Sequence, residues 1–347
     1  VVPPLPTPGV LPQSAPLLPN APVYELSATL PNDDITTAVA TGDLNGDGAL
    51  DLVMGNSGSP NLFYLNDGHG GFDAGTPFGE GSNTYAVVVA DMNGDGNLDI
   101  ITGGDQIVIY FNDGHAHFVT QRTFGEQSGV SLAVGDIDGD GDFDLIVGGK
   151  IWRNDGHGQL TATTTVPGEN SQLVDFDNDG DLDLTAAVWN DHRLVFYTND
   201  GTGAFTPRGN ITLSSPASVP NAVAFGDLDG DGRLDLVLAT TPAETDTLEQ
   251  AQLFLYRNHG PSNGLPSDTP QALNEFGGAG FIQVADIDAD GDLDIITNGF
   301  LYLNQGIDQA GVLQFTRMPW GPPTGVMGLG VLADLNGDGI DEIVIGT

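Results

Sequence analysis

Along most of the chain, short apolar runs rich in Ala, Val and Gly stand just before an acidic segment, as in TAVATGD, YAVVVAD, SLAVGD, NAVAFGD and FIQVAD. A second set stands just after it, as in LDLVMG, LDIITGG, FDLIVGG and LDLVLA. Runs of this length, bounded by Gly, Asp and Asn, predict β-strands. A third strand carries an aromatic and runs into a turn: LFYLNDG, VIYFNDG, KIWRNDG, VFYTNDG, LYRNHG and LYLNQG. Asn-Asp-Gly between such runs is a hairpin signal, because these residues tolerate positive φ. A fourth strand follows, as in GGFDAGTPF or GAFTPRG. The repeating unit is therefore strand, acidic loop, strand, loop, strand, hairpin, strand.

The acidic segment reads Asp-x-(Asp/Asn)-x-Asp-Gly-x-x-(Asp/Glu). It occurs seven times, starting at Asp43, Asp91, Asp136, Asp175, Asp227, Asp286 and Asp334, at intervals of 39 to 59 residues. Four-stranded propeller blades repeat on this scale, so the expected fold is all-β, a seven-bladed β-propeller of four-stranded blades. The small residues of the first strand suit the crowded axis. The 14 residues from Asp334 onward are too few for a blade, and together with the 42 before Asp43 they have the length of one. This predicts a last blade shared between the termini: residues 334–347 supply inner strands and VYELSATL, residues 23–30, the outermost one, which removes the free sheet edge. Residues 23–347 are read as one propeller domain and the Pro-rich residues 1–22 as an extended segment. Whether residues 10–19 add a strand is left open by Pro16 and Pro19, which fit only an edge.

Alternating carboxylates in a tight loop converge their oxygens, and Gly at the sixth position permits the bend. The expected side-chain metal ligands are Asp43, Asn45, Asp47 and Asp51 in the first loop, with the carbonyl of Ala49. The second loop supplies Asp91, Asn93, Asp95 and Asp99, the third Asp136, Asp138, Asp140 and Asp144, and the fourth Asp175, Asp177, Asp179 and Asp183. The fifth supplies Asp227, Asp229, Asp231 and Asp235, the sixth Asp286, Asp288, Asp290 and Asp294, and the seventh Asp334, Asn336, Asp338 and Glu342. Six to eight flexible oxygens suit Ca²⁺ better than Mg²⁺, and Zn²⁺ favours nitrogen or sulfur. Up to seven Ca²⁺, one per blade, are expected. In the sixth loop Ala289 stands where the others have Gly or Asn, and the seventh ends on Asp341-Glu342, so affinities should differ.

Charge narrows the range of partners. Against 48 acidic residues there are 8 Lys and Arg, a net charge of −40, which repels nucleic acid and anionic membrane surfaces. Much of this charge sits in the loops. The chain has no cysteine, hence no thiolate site or disulfide. No apolar stretch is long enough to span a bilayer and no leader pattern opens the chain, so it reads as a soluble, mature form without membrane insertion.

The loops with their flanks, such as AVVVADMNGDGNLDIITGG, and hairpins such as YLNDGHGGF resemble FG-GAP/VCBS repeats, found in integrin α-chain propellers and many secreted bacterial proteins. The resemblance covers nearly all of residues 23–347. It implies a seven-bladed propeller with Ca²⁺ loops between the first and second strands of each blade, and an extracellular or cell-surface, secreted setting. It does not carry one activity.

His69, His115 and His157 share one repeat position but lie on different hairpins, and read as solvated turn residues rather than a metal ring. Tyr64, Tyr110, Trp152, Tyr197, Tyr256 and Tyr302 recur in phase, which predicts packing between blades rather than a sugar-stacking series. Ligands of propellers usually meet the face opposite the calcium loops. The longest connection there, near residues 240–251, is the expected specificity insert. Phe78, Phe124, Phe276 and Trp320 end fourth strands near that face and read as rim packing. Lys150 and seven scattered Arg offer no cationic centre for a uronate, and no nucleophile-base spacing is present, so no enzyme is expected. The expected function is an adhesion or ligand-binding module for protein or surface glycan. A carbohydrate-binding lectin is the alternative, weakened by the absence of a recurrent Trp-Arg segment, and an accessory domain or polysaccharide-active enzyme is a second.

Overall fold

The computed structural model describes residues 30, 34–81, 83–124, 131–213, 218–242, 252–260, 265, 269–273, 282–297, 299–320 and 330–345. Within them the chain forms seven antiparallel sheets in sequence order, six of four strands and a last of two. Blade 1 is typical, with strands Thr36–Gly42, Asp51–Asn56, Asn61–Tyr64 and Thr76–Phe78 paired in that order. The first strands of blades 2 to 6 are Thr84–Ala90, Leu132–Gly135, Glu169–Val174, Ser218–Gly226 and Ile282–Ala285. Blade 7 has Gly330–Ala333 and Glu342–Ile345.

The hydrophobic core lies between the sheets rather than within them. Each cluster joins two consecutive blades: Val53, Phe63 and Phe78 of blade 1 pack on Val87, Ile100 and Tyr110 of blade 2. Ile101, Ile107 and Ile109 of blade 2 pack on Leu145, Val147 and Trp152 of blade 3. The series continues to the seam, where Leu52, Met54 and Tyr64 of blade 1 meet Val331 and Val344 of blade 7. Second strands are therefore covered on both faces, and Asp51–Asn56 and Asp99–Gly104 are buried along their whole length. All six in-phase aromatics are buried, from Tyr64 at 0% exposed to Trp152 at 8%. Phe78 and Phe124 are buried as well, with Phe78 edge-on to Tyr110 of the next blade.

Residues of all seven first strands, among them Ala38, Val87, Leu132, Gln172, Val223, Ile282 and Gly330, line one central cavity of about 330 Å³. This closes the ring. Small side chains end the first strands because the next blade leaves no room: a Cβ on Gly135 would lie 2.5 Å from Leu182 Cδ1, and one on Gly226 2.7 Å from Val284 Cγ1.

Blade 7 departs in part from the sequence expectation. Its inner pair does not lie wholly within residues 334–347: the first strand starts at Gly330, ahead of the acidic loop, because this blade keeps the same strand-loop-strand order as the others. The proposed outer strand 23–30 and residues 1–22 lie outside the described residues save Leu30, which packs in the cluster between blades 1 and 7. Phe276 and most of the insert 240–251 also lie outside them; Thr240–Pro242 extend the second strand of blade 5.

The close approach at the axis generates a prediction. Gly135→Val should destabilise the protein by roughly 1–3 kcal/mol through overpacking, read in urea unfolding, and an unchanged midpoint would contradict the packing described.

Candidate metal centres

The acidic loops are shaped by their own first carboxylate. Asp43 Oδ1 accepts the N–H of Gly46 at 2.7 Å, and its Oδ2 that of Gly48 at 2.9 Å. The same pair of bonds recurs from Asp91, Asp136 and Asp334. The turn needs a left-handed residue at the fourth position, where Gly46 has φ 76°, Asn178 65° and Ala289 58°. Ala289 thus departs from the pattern in residue type but keeps the conformation.

The ninth carboxylate is different in kind. Asp51, Asp99, Asp183, Asp235 and Asp294 are 0% exposed and Asp144 1%. One oxygen accepts the N–H of the loop's second residue: Leu44 to Asp51 at 2.9 Å, Met92 to Asp99 at 3.0 Å, Leu228 to Asp235 at 3.2 Å and Ile287 to Asp294 at 2.9 Å. The other accepts the N–H of the hairpin Asn in the same blade, at 2.7–2.9 Å from Asn66, Asn112, Asn154, Asn199, Asn258 and Asn304. The hairpin Asn then reaches across to the preceding blade. Asn112 Nδ2 donates to Leu44 O at 2.7 Å, Asn154 to Met92 O at 2.8 Å, Asn199 to Ile137 O at 2.8 Å and Asn304 to Leu228 O at 2.8 Å. Asn66 donates to Leu335 O of blade 7 at 2.7 Å, so the same bond crosses the seam. These asparagines read in sequence only as turn formers; their recurrence in phase in six repeats was the signal for more.

The third position divides the loops into two groups. In blades 3 to 6 it is Asp, and Asp138, Asp177, Asp229 and Asp288 each hold a buried Oδ1 with no hydrogen-bond partner; Asp183 Oδ2 is likewise unpartnered. Buried charge of this kind is costly unless something neutralises it. Carboxylate oxygens converge within 4.8 Å in Asp136, Asp138 and Asp140, in Asp175, Asp177 and Asp183, in Asp227, Asp229 and Asp235, and in Asp286, Asp288 and Asp290. An all-oxygen cage of carboxylates fits a hard divalent cation. In blades 1, 2 and 7 the third residue is Asn, and Asn45, Asn93 and Asn336 donate Nδ2 to Asp47, Asp95 and Glu342. The expected ligands there share a loop, with an amide where the other blades bring a third charge.

Three residues that the sequence reading passed over enter the fifth and third sites: His259, grouped with Asp229 and Asp231, and Arg153 and Arg257, each directly before a hairpin Asn. His69, His115 and His157 are exposed on hairpins of separate blades.

Burial pushes the ninth carboxylates up, to about 6 for Asp99, Asp144, Asp183 and Asp294 and to about 7 for Asp235, against backbone hydrogen bonds that favour ionisation. Nearby loop carboxylates push the same way.

The comparisons with known proteins agree with this architecture. A family model described as FG-GAP-like repeat matches residues 43–102, 100–147 and 175–238, which take in the first five acidic loops. A search of the curated proteins finds no match. Among solved structures, the chain is similar to BBS1N in complex with ARL6DN, with TM-score 0.55 and 13% identity, over 90% of this chain and 88% of that one. It is also similar to an Agrocybe aegerita lectin that recognises non-reducing terminal N-acetylglucosamine, with TM-score 0.53 and 20% identity, over 82% and 80%. The Vibrio cholerae biofilm matrix protein Bap1 aligns with TM-score 0.42 and 18% identity over 73% of this chain. The chain spans 42% of the length of that protein.

A raised carboxylate favours the folded state below its unfolded value near 3.8, and that contribution is lost as pH rises through 6 to 7. Chelator-treated protein should therefore melt at progressively lower temperature between pH 5 and pH 8. A melting temperature that climbs across that window would contradict the buried-carboxylate account.

Proposed function

Taking as premise that the chain is an FG-GAP-repeat β-propeller, we propose that it is a calcium-stabilised extracellular module for adhesion or ligand binding, without catalysis. The observation that carries the calcium reading is the set of buried, unpartnered carboxylate oxygens at Asp177, Asp183 and Asp288, aimed into loops whose other acidic groups surround the same point. Bound Ca²⁺ would supply the missing counter-charge, and up to seven ions would take the formal charge from −40 toward −26. The holding residues are those at the first, third, fifth and ninth positions, with the seventh carbonyl. What they do is set by the fold: the ninth carboxylate ties loop to hairpin, and the ion offsets its charge.

The client is proposed to be a protein or a surface glycan, met on the face away from the loops. Support comes from the loops themselves, which are committed to the scaffold, and from likeness in fold to a lectin and to BBS1N, which was crystallised with a protein partner. A secreted, cell-surface setting goes with millimolar calcium, which weak extracellular sites require. No helix among the described residues is long and apolar enough to cross a membrane, in keeping with a module that does not insert by a helix.

Each site at about 100 times its Kd adds roughly 2.7 kcal/mol when the unfolded chain does not bind. Calcium should raise the melting temperature markedly over EDTA, with Mg²⁺ less effective, and identical curves would defeat the calcium reading. A glycan array run in calcium separates the clients: selective signals identify a lectin, and silence leaves protein adhesion.

A further inference from the structure

Only 8 Lys and Arg serve a chain with 48 acidic residues, yet two of them occupy one repeat position, directly before the hairpin Asn. Blades 3 and 5 have Arg153 and Arg257 there, where blades 1, 2, 4 and 6 have Leu65, Phe111, Thr198 and Leu303. Both side chains turn into the acidic loop of their own blade. Arg153 Nη1 bonds Asp138 Oδ2 and, at 3.1 Å, Asp144 Oδ2. It thus stands between the third and ninth carboxylates, both of them expected to hold a cation. In blade 5, Arg257 Nη1 lies 3.5 Å from Asp229 Oδ2, with the two side chains 17% and 5% exposed.

The seat of Arg153 is built for it. Nη2 donates to Thr202 O of blade 4 at 2.6 Å, and the adjacent residue is Gly203, where a Cβ would fall 1.8 Å from that nitrogen. In blade 5 Arg257 Nη2 lies 3.2 Å from His259 Nε2, and a further arginine, Arg233, pairs with Asp231 and donates Nε to Asn258 O at 3.0 Å. Guanidinium does not lose its proton in proteins. A Ca²⁺ bonded at 2.3–2.6 Å to the same carboxylates would face that fixed charge at close range, in a half-buried site where screening is weak.

We propose that the guanidinium groups of Arg153 and Arg257 are built-in cations that take the place of Ca²⁺ in the loops of blades 3 and 5, so that the propeller binds five ions instead of seven. This rests on the calcium reading above and sharpens it. Carboxylate oxygens converge within 4.8 Å in these two loops as they do in blades 4 and 6, and Asp138 and Asp229 retain an unpartnered Oδ1 like Asp177 and Asp288. The blades differ in the charge supplied, not in the cage, so removing an arginine should restore a metal site.

The test is the calcium-to-protein ratio by equilibrium dialysis and elemental analysis, on the full chain after chelation and reloading. Wild type should bind five ions, Arg153→Gln and Arg257→Gln six each, and the double variant seven. Thr198→Arg, which places guanidinium at the same position of blade 4, should bind four. Seven ions in the wild type overturn the proposal, as does an unchanged count in arginine variants that circular dichroism shows to be folded. If the arginine variants fail to fold, the wild-type ratio and Thr198→Arg still decide it. No bound calcium in the wild type overturns this proposal and the calcium reading together, an outcome distinct from seven.

Discussion

The structure depends on a carboxylate kept out of water at the end of the acidic loops of blades 1 to 6. Asp51, Asp99, Asp235 and Asp294 are fully buried and accept two backbone N–H groups, one from the loop and one from the hairpin Asn. Two elements that are far apart in sequence are thereby fixed to one side chain. Through the amide of that Asn, the fixed point extends to the loop of the preceding blade. Because Asn66 makes the bond to Leu335, the same contact also crosses the seam from blade 1 to blade 7. The cost is burial of negative charge beside further negative charge, which hydrogen bonds from neutral amides offset only in part. A cation in the loop answers that cost, and so the charge of the chain, its stability and its metal dependence become one matter.

The separation of labour follows. Loops, hairpins and inter-blade cores are used in holding sheet to sheet, and the apolar packing between blades is continuous around the axis. Little of that material is free to recognise a client. The seven loops are also not equivalent: Asn at the third position in blades 1, 2 and 7 carries an internal amide-carboxylate bond, while Asp in blades 3 to 6 leaves an oxygen unpartnered. A ring built from one repeat thus holds its charges in more than one way.

Much of this was legible in the sequence, since repeat period, strand order, hairpins and small inner strands all follow from local residue types. Blade 7 was legible less sharply, because arithmetic on chain length cannot say that its first strand begins at Gly330, before the loop. The ligands were legible as a motif, but their environments were not. Nothing in Asp-x-Asp-x-Asp-Gly distinguishes the exposed Asp47 from the wholly buried Asp51; that difference comes from the hairpin of the same blade folding over the ninth position. Arg153 was counted as one scattered cation because its partners, Asp138, Asp144 and Thr202, lie up to 49 residues away and on two blades. The hairpin asparagines were visible but explained too cheaply, as turn formers, when a turn alone does not require the same amide six times.

Hydrogen exchange followed by mass spectrometry, with calcium and then with chelator, reads the central contact most directly. The amides of Leu44, Met92 and Ile287, and those of Asn66, Asn112, Asn199 and Asn304, all donate to a ninth carboxylate. Segments carrying them should lose protection together on chelation, ahead of the buried second strands, as local opening precedes global unfolding. Exchange in loops and hairpins that stays the same with and without metal would contradict the account.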